Sequence, residues 1–415
     1  MTAPVSTPPA SQPHRFRYAV LLGSLAAFAS LSIDMYLPAF PQIGRDFGVP
    51  IGSVELTLSV FLAGMALGQL LHGPLSDRYG RRVLLQAGTM VFVASAVGCA
   101  AAGSIYALMA WRLLMALGGS AGQAVSRAIV RDWFQERDAA RYFSLLLGIT
   151  GVAPILAPLI GGQILEYAGW RTIFALLAAF GAACLGATTW ILPESHPRER
   201  RSQTGLAEAL RLYGRLLADT RFLPRVVALG FAYGAMFCYI TGASAVFIEG
   251  YGISPQRFGL FFGINAFGLI GSSQLNRIVL RRHTPRRILT AAYTLLVLLS
   301  GLLAALGNSP IGGLWLFAVT LFCCIALLGF IYPNGAALSL SHLGTAAGSA
   351  SGLFGLAQFG IGSAGGAMVS SLHLRSPLPM TLPMAAFSAT GYAILWLARG
   401  RAPAGVLDPA PAKAD

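Results

Sequence analysis

Long apolar runs separated by short arginine-rich segments are the feature that most constrains this chain of 415 residues. The hydrocarbon core of a bilayer needs about 20 apolar residues per helix. Candidate spans lie near 17–40, 54–75, 83–101, 105–126, 140–164, 171–192, 224–248, 256–279, 288–307, 311–339, 346–371 and 379–398. Charged residues make up only 11% of the chain, against about 25% in soluble domains. We therefore predict an all-α polytopic membrane protein with twelve transmembrane helices.

The basic residues predict how the chain crosses the membrane. Arginines cluster before the first span and after the second, fourth, sixth, eighth and twelfth spans, while the loops between these clusters hold few. By the positive-inside rule, this alternation places both termini in the cytoplasm. The net charge of +14 comes from these separate loops. We therefore expect a lipid bilayer, and no nucleic acid, as the partner of the chain.

The longest charged segment follows the sixth span and divides the chain into two halves. It contains leucines near helical spacing, which indicate an amphipathic helix. A faint internal repeat relates Gly73–Arg82, after the second span, to Gly271–Arg282, after the eighth. Two related halves suit a transporter that rocks around a central site. The predicted parts are a disordered tail (1–14), a six-helix bundle (15–193), a cytoplasmic linker (194–223), a second six-helix bundle (224–398) and a cytoplasmic tail (399–415).

Several motifs of enzymes and cofactor proteins are missing from the sequence. The one lysine is Lys413 in the tail, so a phosphate-binding loop of the GxxxxGK[ST] type is excluded. The five cysteines fall inside apolar runs without CxxC spacing, and no HExxH motif occurs. We expect no catalytic residues, no metal site and no cofactor. Uphill transport would then be driven by an ion gradient, or by a partner.

Asp34 is a carboxylate inside an apolar run, with no other charged residue between Arg17 and Arg45. An ionisable residue at the centre of a span costs about 2.5–3.5 kcal/mol, so it usually faces a cavity or a partner. Arg112, in the fourth span, lies at a similar predicted depth. We interpret Asp34 as a proton-binding site and Arg112 as its partner or as a substrate ligand. The alternatives are a solvated Asp34 at the interface and an Arg112 that extends to the headgroups.

The middle of the bundle offers further candidates for a binding site. Apolar walls with a few polar groups are typical of a permissive ligand site. The substrate-binding candidates are amphipathic residues at mid-span: Tyr36, Gln123, Tyr233, Met236, Tyr239, Asn265, Tyr332, Asn334 and Gln358. For each of them, packing between helices is an equally good explanation.

Three stretches resemble the major facilitator superfamily over essentially the whole chain. The loop "GPLSDRYGRR" (73–82) is similar to the signature loop between helices two and three, and "GVAPILAPLIGG" (151–162) to the helix-five signature of antiporters. "IDMYLPAFPQI" in helix one, with an arginine in helix four, resembles the drug:proton antiporters of the bicyclomycin and chloramphenicol/florfenicol resistance (Bcr/CflA) branch.

The resemblance implies a monomer in the bacterial inner membrane that exports drugs in exchange for protons and uses no cofactor. It implies that Asp34 and Arg112 couple protons to transport. It also implies a cytoplasmic latch in which Asp77 and Arg78 pair with Arg127 or Arg131. The latch residues are Gly73, Asp77, Arg78, Gly80, Arg81, Arg127 and Arg131, and the helix-five motif comprises Gly151, Pro154, Pro158, Gly161 and Gly162.

No acid occupies the inward turns of helix one around 26–29. One aspartate and one arginine would leave the pocket near charge balance, so we expect neutral or zwitterionic substrates of phenicol or bicyclomycin type. An exporter of a metabolite or an amino acid such as cysteine, and a nutrient:proton symporter, remain alternatives. We do not favour a membrane receptor without transport activity, because such a protein would gain nothing from two intramembrane charges and two matched halves.

Overall fold

The computed structural model describes residues 12–133, 136–197, 199, 201, 206–307, 313–340, 343, 347–372 and 376–398. Residues 1–11 of the predicted N-terminal tail and the whole predicted C-terminal tail lie outside this part of the chain. The first described residue, Gln12, already begins a helix.

All the regular secondary structure of the described residues is helical. In chain order, the helices are α1 (Gln12–Ala26), α2 (Phe28–Asp34), α3 (Phe40–Phe47), α4 (Ile51–Tyr79), α5 (Arg81–Ala100), α6 (Ile105–Trp133), α7 (Glu136–Ala168), α8 (Trp170–Trp190), α9 (Leu206–Ala218), α10 (Leu223–Ser244), α11 (Pro255–Val279), α12 (Pro285–Gly307), α13 (Gly313–Leu340), α14 (Ala347–Ser371) and α15 (Leu378–Leu397). A 3₁₀ turn (Leu37–Ala39) precedes α3, and a π-helix (Ala245–Gly250) extends α10. Within the described residues, 11 helices are long and apolar enough to cross a membrane. Counting one bent pair of helices as a single span brings the number of spans up to 12. The predicted fold class is thereby confirmed.

The first span is not the single straight helix that the sequence suggested. Its two parts, Phe16–Ala26 and Phe28–Phe47, are bent by 43°. Pro38 and Pro41 lie in the first turns of the 3₁₀ segment and of α3. Proline lacks a backbone N–H and is tolerated in a first turn, so each one starts a new short helix. Asp34 is the last residue of α2 and therefore lies at a break in the span.

The same packing pattern occurs in both halves of the chain. In the first half, α4 and α5 both pack on α6, and α5 packs on α8. In the second half, α11 and α12 both pack on α13, and α12 packs on α15. The two halves meet through the related pairs α4–α14 and α7–α11. A pseudo-two-fold axis between the halves relates one of these pairs to the other, as expected of transporters built from internal repeats.

The linker helix α9 is docked against the bundle. Tyr213 is buried, and its hydroxyl donates to the Leu70 carbonyl of α4 at 3.1 Å. Tyr213 and Leu216 also pack with Ala350 and Leu353 of α14. The helix therefore spans the junction of the two halves at the end that carries most of the arginines. We call this end of the bundle the arginine-rich end.

Candidate functional site

A cavity of about 440 Å³ lies between the two halves of the bundle. Its walls come from α2, α6 and α7 of the first half and from α10, α11, α13 and α14 of the second. At the end away from the arginines the halves touch, because Gly162 of α7 lies against the backbone of Pro255 and Gln256. From the middle of the bundle, the cavity extends toward Gln274 and Pro333, near the arginine-rich end.

Asp34 lies on the wall of this cavity. The break after α2 brings its carboxylate among apolar side chains, and only 4% of the residue is exposed. Tyr233 and Tyr239, from the other half, lie within electrostatic range of this carboxylate. The Tyr239 hydroxyl accepts a hydrogen bond from Asn265 at 3.0 Å. A carboxylate on the wall of a cavity shared by both halves can exchange a proton or bind a polar ligand.

Arg112 is held apart from the cavity. It is fully buried, and its Nη1 donates to the Ser32 carbonyl at 2.7 Å. Its guanidinium lies 4.4 Å from the ring centroids of both Tyr36 and Phe61. Within the described residues, no ion pair or hydrogen bond joins Arg112 to Asp34. Equal depth in the membrane did not bring the two charges together, because Arg112 points between aromatic side chains of its own half.

Six of the nine substrate-binding candidates lie on the cavity wall: Gln123, Tyr233, Met236, Tyr239, Asn265 and Tyr332. Tyr36 does not line the cavity, because its hydroxyl bonds Thr57 Oγ1 at 2.8 Å and its ring stacks on Arg112. Asn334 instead donates to Asn276 at 2.7 Å inside the second half. Gln358 is half-buried and is also outside the cavity wall. The depth of a residue in the membrane could not show that these three side chains lie off the cavity wall, since residues at one depth can lie on different faces of a helix.

The helix-five motif lies where three helices approach one another. Gly151 and Pro154 line the cavity. Gly161 packs against the backbone of Met35, and Gly162 packs against α11. Pro154 and Pro158 lie inside one continuous helix, α7. The small residues of this motif therefore let α7 contact both halves closely.

The predicted latch has a different partner from the one expected. Arg81 Nη1 lies 2.5 Å from Asp77 Oδ1, and Arg81 Nε lies 3.0 Å from Asp132 Oδ2. In the described chain, neither Arg127 nor Arg131 pairs with Asp77. Arg127 instead follows Gln123 on its own helix, to whose carbonyl its Nε donates at 3.1 Å.

The other members of the predicted latch surround this arrangement. Arg78 is exposed and lies over the Tyr79 ring, 5.4 Å from its centroid. Gly73 has open space where a Cβ would be. Gly80 has a φ of +102°, which favours glycine and permits the sharp turn between α4 and α5.

The sequence reasoning did not identify a carboxylate that caps α5. Glu194 Oε1 accepts the backbone N–H of Arg81 at 2.9 Å, and Glu194 also pairs with Arg201 at 3.7 Å. An acid at a helix N-terminus satisfies free backbone donors and complements the helix dipole. The segment after the sixth span is therefore fastened to the start of α5.

Glu55 is a second buried acid that sequence reasoning did not single out. It lies in the second turn of α4 and is 4% exposed, but it does not line the cavity. Glu55 was not selected from the sequence, because it lies close to the predicted end of a span. The signal that could have identified it is an acidic residue within the first turns of an apolar span.

Comparison with known proteins agrees with this architecture. A profile of the Major Facilitator Superfamily matches residues 22–367. The "Uncharacterized MFS-type transporter YdgK" of Bacillus subtilis is 36% identical, with 84% of this chain and 87% of that protein covered. The "Bicyclomycin resistance protein homolog" of Haemophilus influenzae is 30% identical, with 90% and 94% covered.

A solved structure shows the same fold at much lower identity. The "D-xylose-proton symporter" matches with a TM-score of 0.72 and 14% identity, covering 91% of this chain and 97% of that one. At this identity the likeness shows the fold alone. The profile and the relatives nevertheless cover most of the chain. This protein belongs to the major facilitator superfamily and is a multi-pass membrane transporter, not an enzyme.

Proposed function

We propose that this protein is a proton-coupled efflux antiporter of the bacterial inner membrane. It exports small neutral or zwitterionic antibiotics of phenicol or bicyclomycin type, and both of its termini are cytoplasmic. The observation that carries the proposal is the position of Asp34: a buried carboxylate at a helix break, on the wall of a cavity shared by both halves. The relative named for bicyclomycin resistance supports the choice of substrate.

Coupling follows from competition for one carboxylate. With the cavity open to the cytoplasm, deprotonated Asp34 faces the substrate. After the halves rock, a proton from outside binds Asp34, and the substrate leaves. The protonated carrier then returns and releases its proton inside. Such a cycle needs two conformations close in energy, each stabilised by a different ligand.

The helix contacts fit this alternation. Asp34 belongs to the first half, whereas Tyr233 and Tyr239, which lie near it, belong to the second. A rotation of one half against the other therefore changes what surrounds the carboxylate. We assign Arg112 the role of fixing the first half around Ser32, two residues before Asp34, through its hydrogen bond to that carbonyl.

Proton release by purified protein in a weakly buffered solution tests the proposal. Adding chloramphenicol or bicyclomycin should release protons from the wild type, and Asp34→Asn should release none. Glu55→Gln is the matched control, because it neutralises a buried acid that does not line the cavity. Drug binding without proton release by the wild type, or export that ignores a collapsed pH gradient, would refute antiport.

A further inference from the structure

Arg127 is a charged residue of the bundle that has no role in the proposed proton cycle. It lies on α6 one turn after Gln123, a residue of the cavity wall. Residues four apart share one face of a helix. The Arg127 Nε donates to the Gln123 carbonyl, and the residue is exposed. Arg127 itself is not on the described cavity wall; it lies on α6 one turn beyond Gln123, toward the arginine-rich end.

A residue of the opposite half confirms this direction. Tyr233 of α10 lines the cavity and lies within electrostatic range of Arg127. The same tyrosine lies within range of Asp34. The cavity wall therefore carries a carboxylate, a guanidinium lies just beyond the wall on the arginine-rich side, and a phenol from the other half is near both.

The charge of Arg127 has no protein counterion among the side chains that the structure describes. Its near charged neighbour is another cation, Arg131, one turn farther along α6. Water solvates the guanidinium while the cavity is open. When the halves close around a substrate and water leaves, an unpaired charge becomes costly. A substrate that brings an anionic group removes that cost.

The separation of the two charges sets the shape of the substrate. Gly122 of α6 packs on the Leu25 carbonyl of α1, so these two residues are at the same depth. Asp34 lies nine residues from Leu25 toward one end, and Arg127 lies five residues from Gly122 toward the other. At about 1.5 Å per residue, and allowing for the bend, their Cα atoms are roughly 15–20 Å apart along the bundle axis. The Arg127 side chain bends back by one turn to the Gln123 carbonyl, so the two charged groups are about 10–15 Å apart. An α-amino acid, whose two charges flank one carbon atom, is too short to bridge them.

We propose that Arg127 is an anion-binding substrate residue, and that the cavity takes an elongated zwitterion with its cationic group at Asp34 and its carboxylate at Arg127. This inference rests on the proposed antiport and narrows its substrate class. The sequence predicts that Arg112 balances the charge of Asp34, but Arg112 is outside the cavity. In this proposal Arg127 is the cation that balances Asp34.

Three rigid probes test the inference by equilibrium binding to the purified protein at pH 7. The zwitterion is 4′-(aminomethyl)biphenyl-4-carboxylic acid, its methyl ester keeps only the cation, and its N-acetyl derivative keeps only the carboxylate. The wild type should bind the zwitterion about tenfold or more tightly than the ester, since a charge-assisted hydrogen bond contributes about 1.5–3 kcal/mol. Arg127→Gln should reduce this ratio to near one, and Arg127→Lys should retain part of it.

Arg287→Gln is the matched control. It removes one exposed arginine from the first turn of α12, at the same end of the bundle, and no residue of α12 lines the cavity. A general loss of positive potential would lower the ratio in both variants, whereas a direct contact lowers it only in Arg127→Gln. Equal effects of the two changes would overturn the inference. A wild type that binds the zwitterion no better than the ester, or binds neither, would overturn it as well.

Proton release separates this result from the fate of the proposed function. If drugs release protons through Asp34 while Arg127→Gln leaves the zwitterion-to-ester ratio unchanged, the antiport stands and the anion site is wrong. If the ratio depends on Arg127 but no substrate releases protons, the anion site stands and the antiport is wrong.

Discussion

Gly162 of α7 offers a sharp test of how the two halves are closed away from the arginine-rich end. A Cβ at this position would lie 2.8 Å from the Pro255 carbonyl oxygen and 3.2 Å from the Gln256 Cα, both of the second half. Carbon atoms prefer separations of about 3.5–4.0 Å, so α7 and α11 would have to part by about 0.3–0.8 Å. Both contacts are with backbone atoms, and no side-chain rotation can relieve them.

The magnitude follows from two opposing terms. Overpacking at a close contact costs about 1–3 kcal/mol. Alanine in place of glycine regains up to about 1 kcal/mol of helix propensity. The net loss of folding stability for Gly162→Ala is therefore about 0–2 kcal/mol in this conformation. Helix propensity affects both conformations alike, so the overpacking cost of about 1–3 kcal/mol alone sets the shift between them.

Because the clash belongs to the conformation in which these helices touch, the substitution should shift the equilibrium toward the opposite opening. A difference of 1.4 kcal/mol is tenfold in an equilibrium constant, so we expect a shift of about 5- to 150-fold. Spin labels at positions 166 and 256, whose side chains are hydrogen-bonded at 3.2 Å across the halves, report this opening as a longer distance.

Gly148→Ala in the same helix is the control. Gly148 is exposed, and no described atom lies within 4 Å of its added Cβ. This change should raise stability by about 0.5–1 kcal/mol and leave the label distance unchanged. If Gly162→Ala melts at or above the temperature of Gly148→Ala, with the same distance distribution, the close-contact argument is wrong.

Two further changes test other contacts. Arg112→Lys keeps the charge but loses the planar stacking on Tyr36 and Phe61, so thermal unfolding should show a loss of about 2 kcal/mol; an unchanged midpoint would contradict the packing role. Tyr213→Phe removes the hydrogen bond to Leu70 and should weaken docking of α9 by about 1 kcal/mol, measured as faster hydrogen exchange in that helix. Burial, with a smaller effect of Asp77, raises the pKa of the Tyr213 hydroxyl above its ordinary value. This docking should therefore be intact below about pH 10 and weaken above it, and a loss at neutral pH would contradict the assignment.

The sequence predicted the spans because hydrophobicity over about 20 residues is a local property. The predicted run at 17–40 lies inside the first span, which extends to Phe47. It missed the break, because Ala27 carries no local breaking signal and Pro38 lies near the predicted end. The linker helix was also visible in the spacing of its leucines. Its docking across α4 and α14 was not, because docking depends on which surfaces the two halves leave exposed.

The sequence by itself determined that this protein spans a membrane many times and that Asp34 and Arg112 lie deep inside it. Only the tertiary structure decided which charges meet. Arg112 is enclosed by Tyr36 and Phe61, Arg81 pairs with Asp132, and Asp34 lies on the cavity wall without a basic partner among the described residues. Depth follows from counting residues along one helix. The face that a side chain presents to its neighbours depends on how close the helices approach, which is set by contacts such as Gly161 on Met35 between residues distant in the chain.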